Sequence, residues 1–235
     1  ANSLTAQING ANQGVRNLND AISLVQTAEG AIAAATEMAQ RISTLATQAA
    51  NSTYGSTERQ AIKDEMNQLV SSINSIQTRT KFSGNELLSS KEFTIQISNE
   101  SSDTYVMTSG GFADIGITTS GSASAIALNN AITGAVTATA SISTFRTIQD
   151  KAADYITALA TQRSTLGAYQ NRLEYTVSNV TDLSGNLNAA RSRVQDTDYA
   201  AETAKLTKGQ ILQQAATAML AQANQMPNVI LTLLK

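Results

Sequence analysis

The chain has 235 residues, enough for one large domain or two small ones with a hydrophobic core. Charged residues make up 14% and the net charge is −2, so neither nucleic acid nor an anionic membrane is favoured as a partner. The absence of Cys and His excludes disulfides and thiolate metal sites, and it removes the commonest general base. No apolar stretch is long enough to span a membrane. A surface so poor in charge suits burial among copies of the same chain, although a general preference for uncharged polar residues would look the same.

Apolar residues recur at alternating steps of four and three from Leu4 to Val25 and continue more loosely to Ala49, which is the seven-residue pattern of a coiled coil. The first seven of these positions are Leu4, Ile8, Ala11, Val15, Leu18, Ile22 and Val25. The pattern predicts one helix about 75 Å long. It ends at the turn-forming stretch NSTYGS. The same step from Ile62 to Ile76 then predicts a second helix that folds back antiparallel on the first, with a capping box formed by Thr57 and Gln60.

The region 80–140 is different in character. EFTIQIS (92–98) and TYVMTS (104–109) are rich in β-formers and flank a turn, so they predict a β-hairpin. One more short strand is expected near Ile115 and Ile117, and a short helix over 125–131.

The seven-residue pattern returns near residue 141 and runs from Phe145 to Val194, which predicts another helix about 75 Å long, matching the first one. Its weakest place is Gln162–Arg163. Asp196 is the predicted N-cap of a last helix that runs to about Asn224. We expect Pro227 to end that helix, so that NVILTLL forms a separate short segment.

The predicted fold class is therefore mainly α, a long antiparallel coiled-coil helix bundle with a small β-hairpin excursion in the middle. The predicted domains are 1–195, the helical bundle that includes 80–140, and 196–235, a carboxy-terminal helix. Apolar residues crowd this last segment, and no other part of the chain is expected to cover them. An apolar surface of this kind predicts one half of an interface.

Several long motifs resemble the bacterial flagellins. They are AISLVQTAEGAIAA (21–34), QRISTLATQAANST (40–53), TKFSGNELL (80–88) and nearly all of 166–235. The resemblance covers roughly 14–109 and 145–235. It implies a non-enzymatic structural subunit of the extracellular flagellar filament, which self-assembles for motility. In that family, 1–195 would form the inner tube of the filament and 196–235 part of its core.

The resemblance also implies partners. These are other flagellin subunits, an export chaperone that holds the carboxy-terminal segment, and the filament cap and hook–filament junction proteins. The residues expected to mediate assembly and chaperone binding are Ile211, Leu212, Met219, Leu220, Val229, Ile230, Leu231, Leu233 and Leu234. Family members usually begin about fifty residues earlier and often carry large variable outer domains. We therefore expect this chain to lack an amino-terminal segment, the usual partner of the last helix, as well as those outer domains.

Four residues match positions where the family meets a Toll-like innate immune receptor. They are Gln40, Arg41, Leu45 and Glu65. Recognised members often carry Arg–Glu where this chain has Ser43–Thr44, and the loss of that charge pair is expected to weaken recognition. The alternative interpretation makes Arg41 a solvated helix charge and Leu45 a residue of the apolar seam.

Two other functions remain open from the sequence. A hook–filament junction protein has a similar helical plan, but the close match of 166–235 favours a filament subunit. A carbohydrate-binding adhesin would have to use 80–140, which offers little chemistry without His or Cys. The carboxylates of Asp196, Asp198 and Glu202 are explained by helix capping more simply than by a metal site.

Overall fold

The computed structural model describes the backbone of residues 2–118, 121–134, 141–195 and 199–233, and it describes side chains in these ranges except at 199 and 224–233. The α-helices are α1 (Asn2–Ala49), α2 (Ser56–Arg79), α3 (Ala123–Gly134), α4 (Ile142–Gln195) and α5 (Tyr199–Leu233). The strands are β1 (Lys81–Phe82), β2 (Asn85–Glu86), β3 (Phe93–Gln96) and β4 (Thr104–Met107). This architecture confirms the predicted mainly α fold of long helices with small hairpins in the middle.

The chain divides into two compact units, Asn2–Leu187 and a carboxy-terminal unit that begins at Asn188. The predicted domain boundary lies a few residues farther along, between 195 and 196. The assignment of the two parts to an inner tube and a filament core stays a prediction.

The core of the first unit is an apolar seam shared by α1, α2 and α4. Buried seam residues of α1 include Leu18, Val25, Ile32, Ile42 and Leu45, those of α2 Ile62, Met66 and Ile73, and those of α4 Phe145, Ile148, Leu166 and Leu173. Each fully buried Leu or Ile contributes about 1.5–3 kcal/mol. The seven-residue pattern identified the packed face of α1, of α2 and of α4 as far as Val180, but Leu183 and Val194, which continue the pattern on α4, are 48% and 69% exposed.

Polar contacts show the direction in which the long helices run. Arg163 of α4 forms an ion pair with Glu29 of α1 at 3.4 Å. The Ser184 hydroxyl donates to the Asn12 amide oxygen at 2.9 Å. The later residue of α4, Ser184, contacts the earlier residue of α1, Asn12, so the two helices are antiparallel.

The turn between α1 and α2 differs from its prediction. Helix α2 begins at Ser56 with Gly55 as N-cap, and no side chain caps it. The predicted capping box is wrong because Thr57 already lies inside the first turn, beyond the position that can cap. Instead, Arg59 donates from Nε to the Ala49 carbonyl at 3.1 Å and from Nη2 to the Asn51 carbonyl at 3.2 Å. The first of these bonds satisfies a carbonyl left free at the end of α1, and the second holds the turn that follows.

The middle of the chain contains two small hairpins. The predicted hairpin is confirmed, with β3 antiparallel to β4 and Phe93 opposite Met107. Strands β1 and β2 pair across a two-residue turn at Ser83 and Gly84. Both of these residues have positive φ (50° and 82°), as in the two-residue turns whose twist matches that of the strands in a β-hairpin.

Residues 113–118 form no strand, so the prediction of a third strand near Ile115 and Ile117 is wrong. Ile115 and Ile117 are nevertheless 1% exposed. Their backbone groups bond to side chains of α2 and α4 instead of to a neighbouring strand. The predicted short helix over 125–131 is confirmed as α3, Ala123–Gly134.

Helix α4 is continuous, as predicted, whereas α5 extends farther than predicted. Helix α4 passes through Gln162–Arg163 without a break. The helical backbone of α5 continues beyond Pro227 to Leu233, so the predicted helix end at Met226 is wrong. Proline removes one amide donor at a cost of about 3 kcal/mol in a helix interior, and the helical backbone nevertheless continues through this position. The predicted N-cap Asp196, with Asp198, lies outside the described residues.

Candidate functional site

Helix α5 carries a run of exposed apolar side chains. Its described side chains from Ala200 to Ala223 are all exposed. The large apolar ones are 59–71% exposed and are Leu206, Ile211, Leu212, Met219 and Leu220. Leu212, Ala216, Met219 and Ala223 follow one another at steps of four, three and four, as in the buried seam of α1. We call the line formed by these four residues the α5 stripe.

The α5 stripe contains part of the predicted assembly surface. Ile211, Leu212, Met219 and Leu220 all lie exposed on α5. The other predicted assembly residues are Val229, Ile230, Leu231, Leu233 and Leu234, and they fall where side chains are not described. An exposed apolar surface that extends over several helical turns is typical of a protein–protein interface.

A second candidate surface spans α1 and α2. Arg41 and Glu65 form an ion pair, with Nη2 2.7 Å from Oε1, and their side chains are 52% and 45% exposed. Gln40 is also exposed, one residue before Arg41. Three of the four predicted receptor residues therefore share one solvent-facing surface.

Leu45 lies apart from that surface. It is 1% exposed and belongs to the core formed by α1 with its neighbours. In this conformation its side chain offers no surface to a partner, as the alternative interpretation anticipated.

The sequence reasoning missed a polar site on α4 that fixes the irregular segment 108–118. Tyr155 donates its hydroxyl to the Ile115 carbonyl at 2.5 Å. Gln162 donates its amide to the Ala113 carbonyl at 2.8 Å and to the Gly111 carbonyl at 3.2 Å.

Tyr169 completes the set, since its hydroxyl accepts from the Thr108 amide at 3.1 Å and lies 2.6 Å from the Thr108 hydroxyl. Tyr155, Gln162 and Tyr169 are seven residues apart in turn, so they form a polar ladder along one line of α4. The signal in the sequence was Gln162, a buried amide that interrupts an otherwise apolar pattern.

Helix α2 holds the same segment from another side. The Ile117 amide donates to the Asn74 side-chain oxygen at 2.8 Å, and the Asn74 amide donates to the Ile117 carbonyl at 3.4 Å. Gln77 donates to the Asp114 carboxylate, which also accepts from the Gly116 amide at 2.7 Å. Burial, with the negative charge of Asp114 nearby, raises the pKa of Tyr155 well above its ordinary value. This site is structural, because its polar groups are used up in holding the backbone.

The described residues bring together no group of three or more His, Cys, Asp or Glu side chains able to bind a metal ion. Among the described helices, none combines the length and the apolar character that crossing a membrane requires. The surfaces with exposed apolar or charged groups are therefore the candidates for function, and they are suited to binding protein.

Comparison with protein families gives two matches. The model of the bacterial flagellin N-terminal helical region matches residues 1–92, and that of the bacterial flagellin C-terminal helical region matches residues 149–234. The first match begins at residue 1, so it does not support the predicted absence of an amino-terminal segment.

Individual proteins agree with the family models. The chain is 38% identical to a flagellin of Halalkalibacterium halodurans over 235 residues, which cover 99% of this chain and 81% of that protein. It is 35% identical to the flagellin of Bacillus subtilis over 254 residues, covering 99% of this chain and 83% of the relative.

Solved structures show the same likeness. The crystal structure of Bacillus cereus flagellin matches with a TM-score of 0.55 and 30% identity, covering 75% of this chain and 94% of that one. A putative flagellar hook-associated protein from Vibrio parahaemolyticus matches with a TM-score of 0.52 at 14% identity, covering 82% of this chain and 91% of that one. The second likeness is one of fold alone.

Proposed function

The chain belongs to the bacterial flagellin family, and we propose that it assembles by burying the α5 stripe against other copies of itself. As a flagellin it is a structural, non-enzymatic subunit of the extracellular flagellar filament that serves motility. Polymerisation with other flagellin subunits follows from that membership. The proposal concerns which surface drives it.

The exposure of the α5 stripe is the observation that supports this proposal. Leu212 and Met219 are 59% and 71% exposed, although they occupy the positions of a coiled-coil seam. Each large apolar side chain that becomes fully buried contributes about 1.5–3 kcal/mol, so a few such residues are enough to stabilise contacts repeated along a polymer. The low charge of the chain lowers the cost of removing water from the rest of its surface.

The test is seeded elongation of the full natural chain on filament fragments, imaged by electron microscopy. We expect Leu212→Asn and Met219→Gln each to reduce elongation strongly, while Gln214→Asn, on the side of the same helix opposite Leu212, elongates like the unaltered chain. Equal elongation by all four proteins would contradict the role of the α5 stripe.

We also propose that an export chaperone holds the α5 stripe before assembly. The same surface that stabilises a polymer promotes aggregation in a free subunit, so it has to be covered during export. Filament cap and hook–filament junction proteins are the further proposed partners at the ends of the polymer. A soluble chaperone–subunit complex that Leu212→Asn and Met219→Gln each weaken, but Gln214→Asn does not, would support this role.

The surface formed by Gln40, Arg41 and Glu65 is our proposal for recognition of the monomer by a Toll-like receptor. The supporting geometry is the exposed ion pair, which presents a guanidinium and a carboxylate side by side across two helices. Charged groups held in a fixed arrangement give specificity to a complementary partner. Ser43 and Thr44, in place of a charge pair, leave this surface with fewer charges.

Receptor activation by the purified monomer tests the recognition proposal. We expect Arg41→Ala to reduce activation, while Arg163→Ala, which removes an exposed arginine from another ion pair, leaves it unchanged. Restoring charge with the double variant Ser43→Arg and Thr44→Glu is expected to increase activation. If Arg41→Ala activated the receptor as well as the unaltered monomer, recognition would not use this surface.

A further inference from the structure

Tyr175 projects from α4 into solvent. Its side chain is 79% exposed, the highest value among the large hydrophobic side chains in the described part of the chain. Leu173 and Val180, on the opposite side of the helix, are buried in the core. Tyr175 therefore points away from the bundle, and most of its side chain is left uncovered by the described part of its own subunit. A tyrosine in this situation is typical of an anchor for a protein interface.

A groove lies between α1 and α2 of the same unit. Its volume is about 750 Å³, and small side chains such as Ala31, Ala34 and Ser72 form much of its wall. Met38 and Ile76 also line it and are only partly buried. The small side chains leave room for a bulky group to reach these apolar residues, and methionine adapts its shape to fill the gap.

The charges around the two surfaces are complementary. Arg79 and Lys81 lie at one end of the groove. Lys81 is paired with Glu86 at 3.1 Å, whereas Arg79 forms no ion pair with any described residue. On α4, Asp182 lies two helical turns from Tyr175 on the same face, and it also has no ion-pair partner among the described residues.

We propose that Tyr175 of one subunit inserts into the α1–α2 groove of a second copy, with Asp182 of the first subunit facing Arg79 of the second. The inference rests on the proposed function, since it requires that copies of the chain meet. The occupant is a second copy because the chain itself supplies a projecting aromatic side chain, a groove lined by small residues and opposite charges at their rims. The two surfaces differ, so each subunit can use both at once, and such a contact repeats without closing into a dimer.

Charge reversal and truncation test this contact in polymers of the full natural chain. Tyr175→Ala is expected to raise the critical concentration for polymerisation about tenfold, the effect typical of removing an aromatic anchor. Tyr175→Phe keeps the ring and is expected to change it little. Arg79→Asp and Asp182→Arg should each raise it, and the two changes combined in one chain should restore it, because every contact then regains an opposite pair.

Cross-linking gives an independent readout. The chain contains no Cys, so introduced thiols are the only ones present. Copies carrying Asn179→Cys, an exposed position one helical turn from Tyr175 that leaves the ring in place, are mixed with copies carrying Ser72→Cys, polymerised and treated with a short bismaleimide. Covalent dimers are expected from this mixture and not from a control in which Ser101→Cys, at the tip of the β3–β4 hairpin, replaces Ser72→Cys.

The outcomes separate the two proposals. If the unaltered chain polymerises but Tyr175→Ala keeps its critical concentration and the Ser72→Cys mixture cross-links no better than the control, this contact is overturned and the assembly proposal stands. If Leu212→Asn abolishes elongation while Tyr175→Ala has no effect, the same conclusion holds. A full chain that does not polymerise at all overturns both.

Discussion

Gly14 of α1 provides the sharpest test of how the β-hairpin is held on the bundle. A Cβ atom at this position would lie 1.5 Å from the Ile97 carbonyl oxygen, so the backbone after β3 approaches the helix as closely as only glycine permits. The Asn17 side-chain amide, one turn farther along, donates to the Gln96 carbonyl at 2.9 Å. The substitution Gly14→Ala must therefore push the hairpin away from α1.

The magnitude follows from three contributions. Overpacking a tight contact costs about 1–3 kcal/mol. Loss of the Asn17–Gln96 hydrogen bond costs about 1 kcal/mol more. The better helix propensity of alanine returns about 1 kcal/mol. We expect a net decrease of about 1–3 kcal/mol in the free energy of unfolding of the unit that contains α1.

The matched control is Gly30→Ala, on the same helix. A Cβ atom there meets nothing within 4 Å, so alanine should increase the free energy of unfolding by about 0.5–1 kcal/mol. Urea unfolding followed by circular dichroism measures both changes, and amide hydrogen exchange of 93–107 shows whether the hairpin loosens. If Gly14→Ala were as stable as Gly30→Ala with unchanged hairpin protection, the close approach would not determine how the hairpin docks.

Three further predictions concern the polar ladder and the ion pair. Gln162→Met leaves two carbonyls without a donor and should lower the free energy of unfolding by about 2–4 kcal/mol, whereas Gln170→Met should lower it by less than about 0.5 kcal/mol in the same urea titration. Tyr155 stays neutral in the folded chain above pH 10, because its pKa is raised from 10.0 by burial and by the Asp114 carboxylate. Above pH 10 unfolding therefore releases a proton from Tyr155. The free energy of unfolding should then fall with rising pH by up to about 1.4 kcal/mol per pH unit. Tyr155→Phe should flatten that slope in unfolding curves recorded from pH 8 to 11. Arg41→Ala should change the free energy of unfolding by less than about 1 kcal/mol, since its ion pair is half exposed.

The long helices could be predicted from the sequence because their determinants are periodic and local. Every apolar position of α1 from Val25 to Ala49 in the seven-residue pattern is buried. The β3–β4 hairpin also followed from alternation and a turn signal. Such patterns repeat the same signal many times along one face of a helix or strand, so a single unfavourable residue such as Gly30 does not hide them.

The segment 108–118 could not be predicted because its determinants are distant in sequence. Its conformation depends on side chains such as Asn74 and Gln162, which lie about forty to fifty residues away and bond to its carbonyls and amides. A run of β-formers at Ile115 and Ile117 signals burial, but it does not show whether strand partners or side chains will satisfy the backbone. The continuation of α5 past Pro227 also departs from a local rule, since one unfavourable residue does not end this helix.

The buried position of Leu45 affects how recognition can be tested. Truncating a buried Leu costs about 2–5 kcal/mol, so Leu45→Ala would disturb the packing of α1 against its neighbours whether or not a receptor ever contacts that residue. A loss of receptor activation by Leu45→Ala therefore does not identify a contact. Arg41 lies one helical turn before Leu45 on α1, and Glu65 pairs with it from α2. Both side chains face solvent, so their substitution changes charge and leaves the seam intact. Reversing both charges with Arg41→Glu and Glu65→Arg keeps an ion pair between α1 and α2 but exchanges its ends, so a loss of activation in that double variant, with normal unfolding, would be evidence that a partner contacts these two side chains.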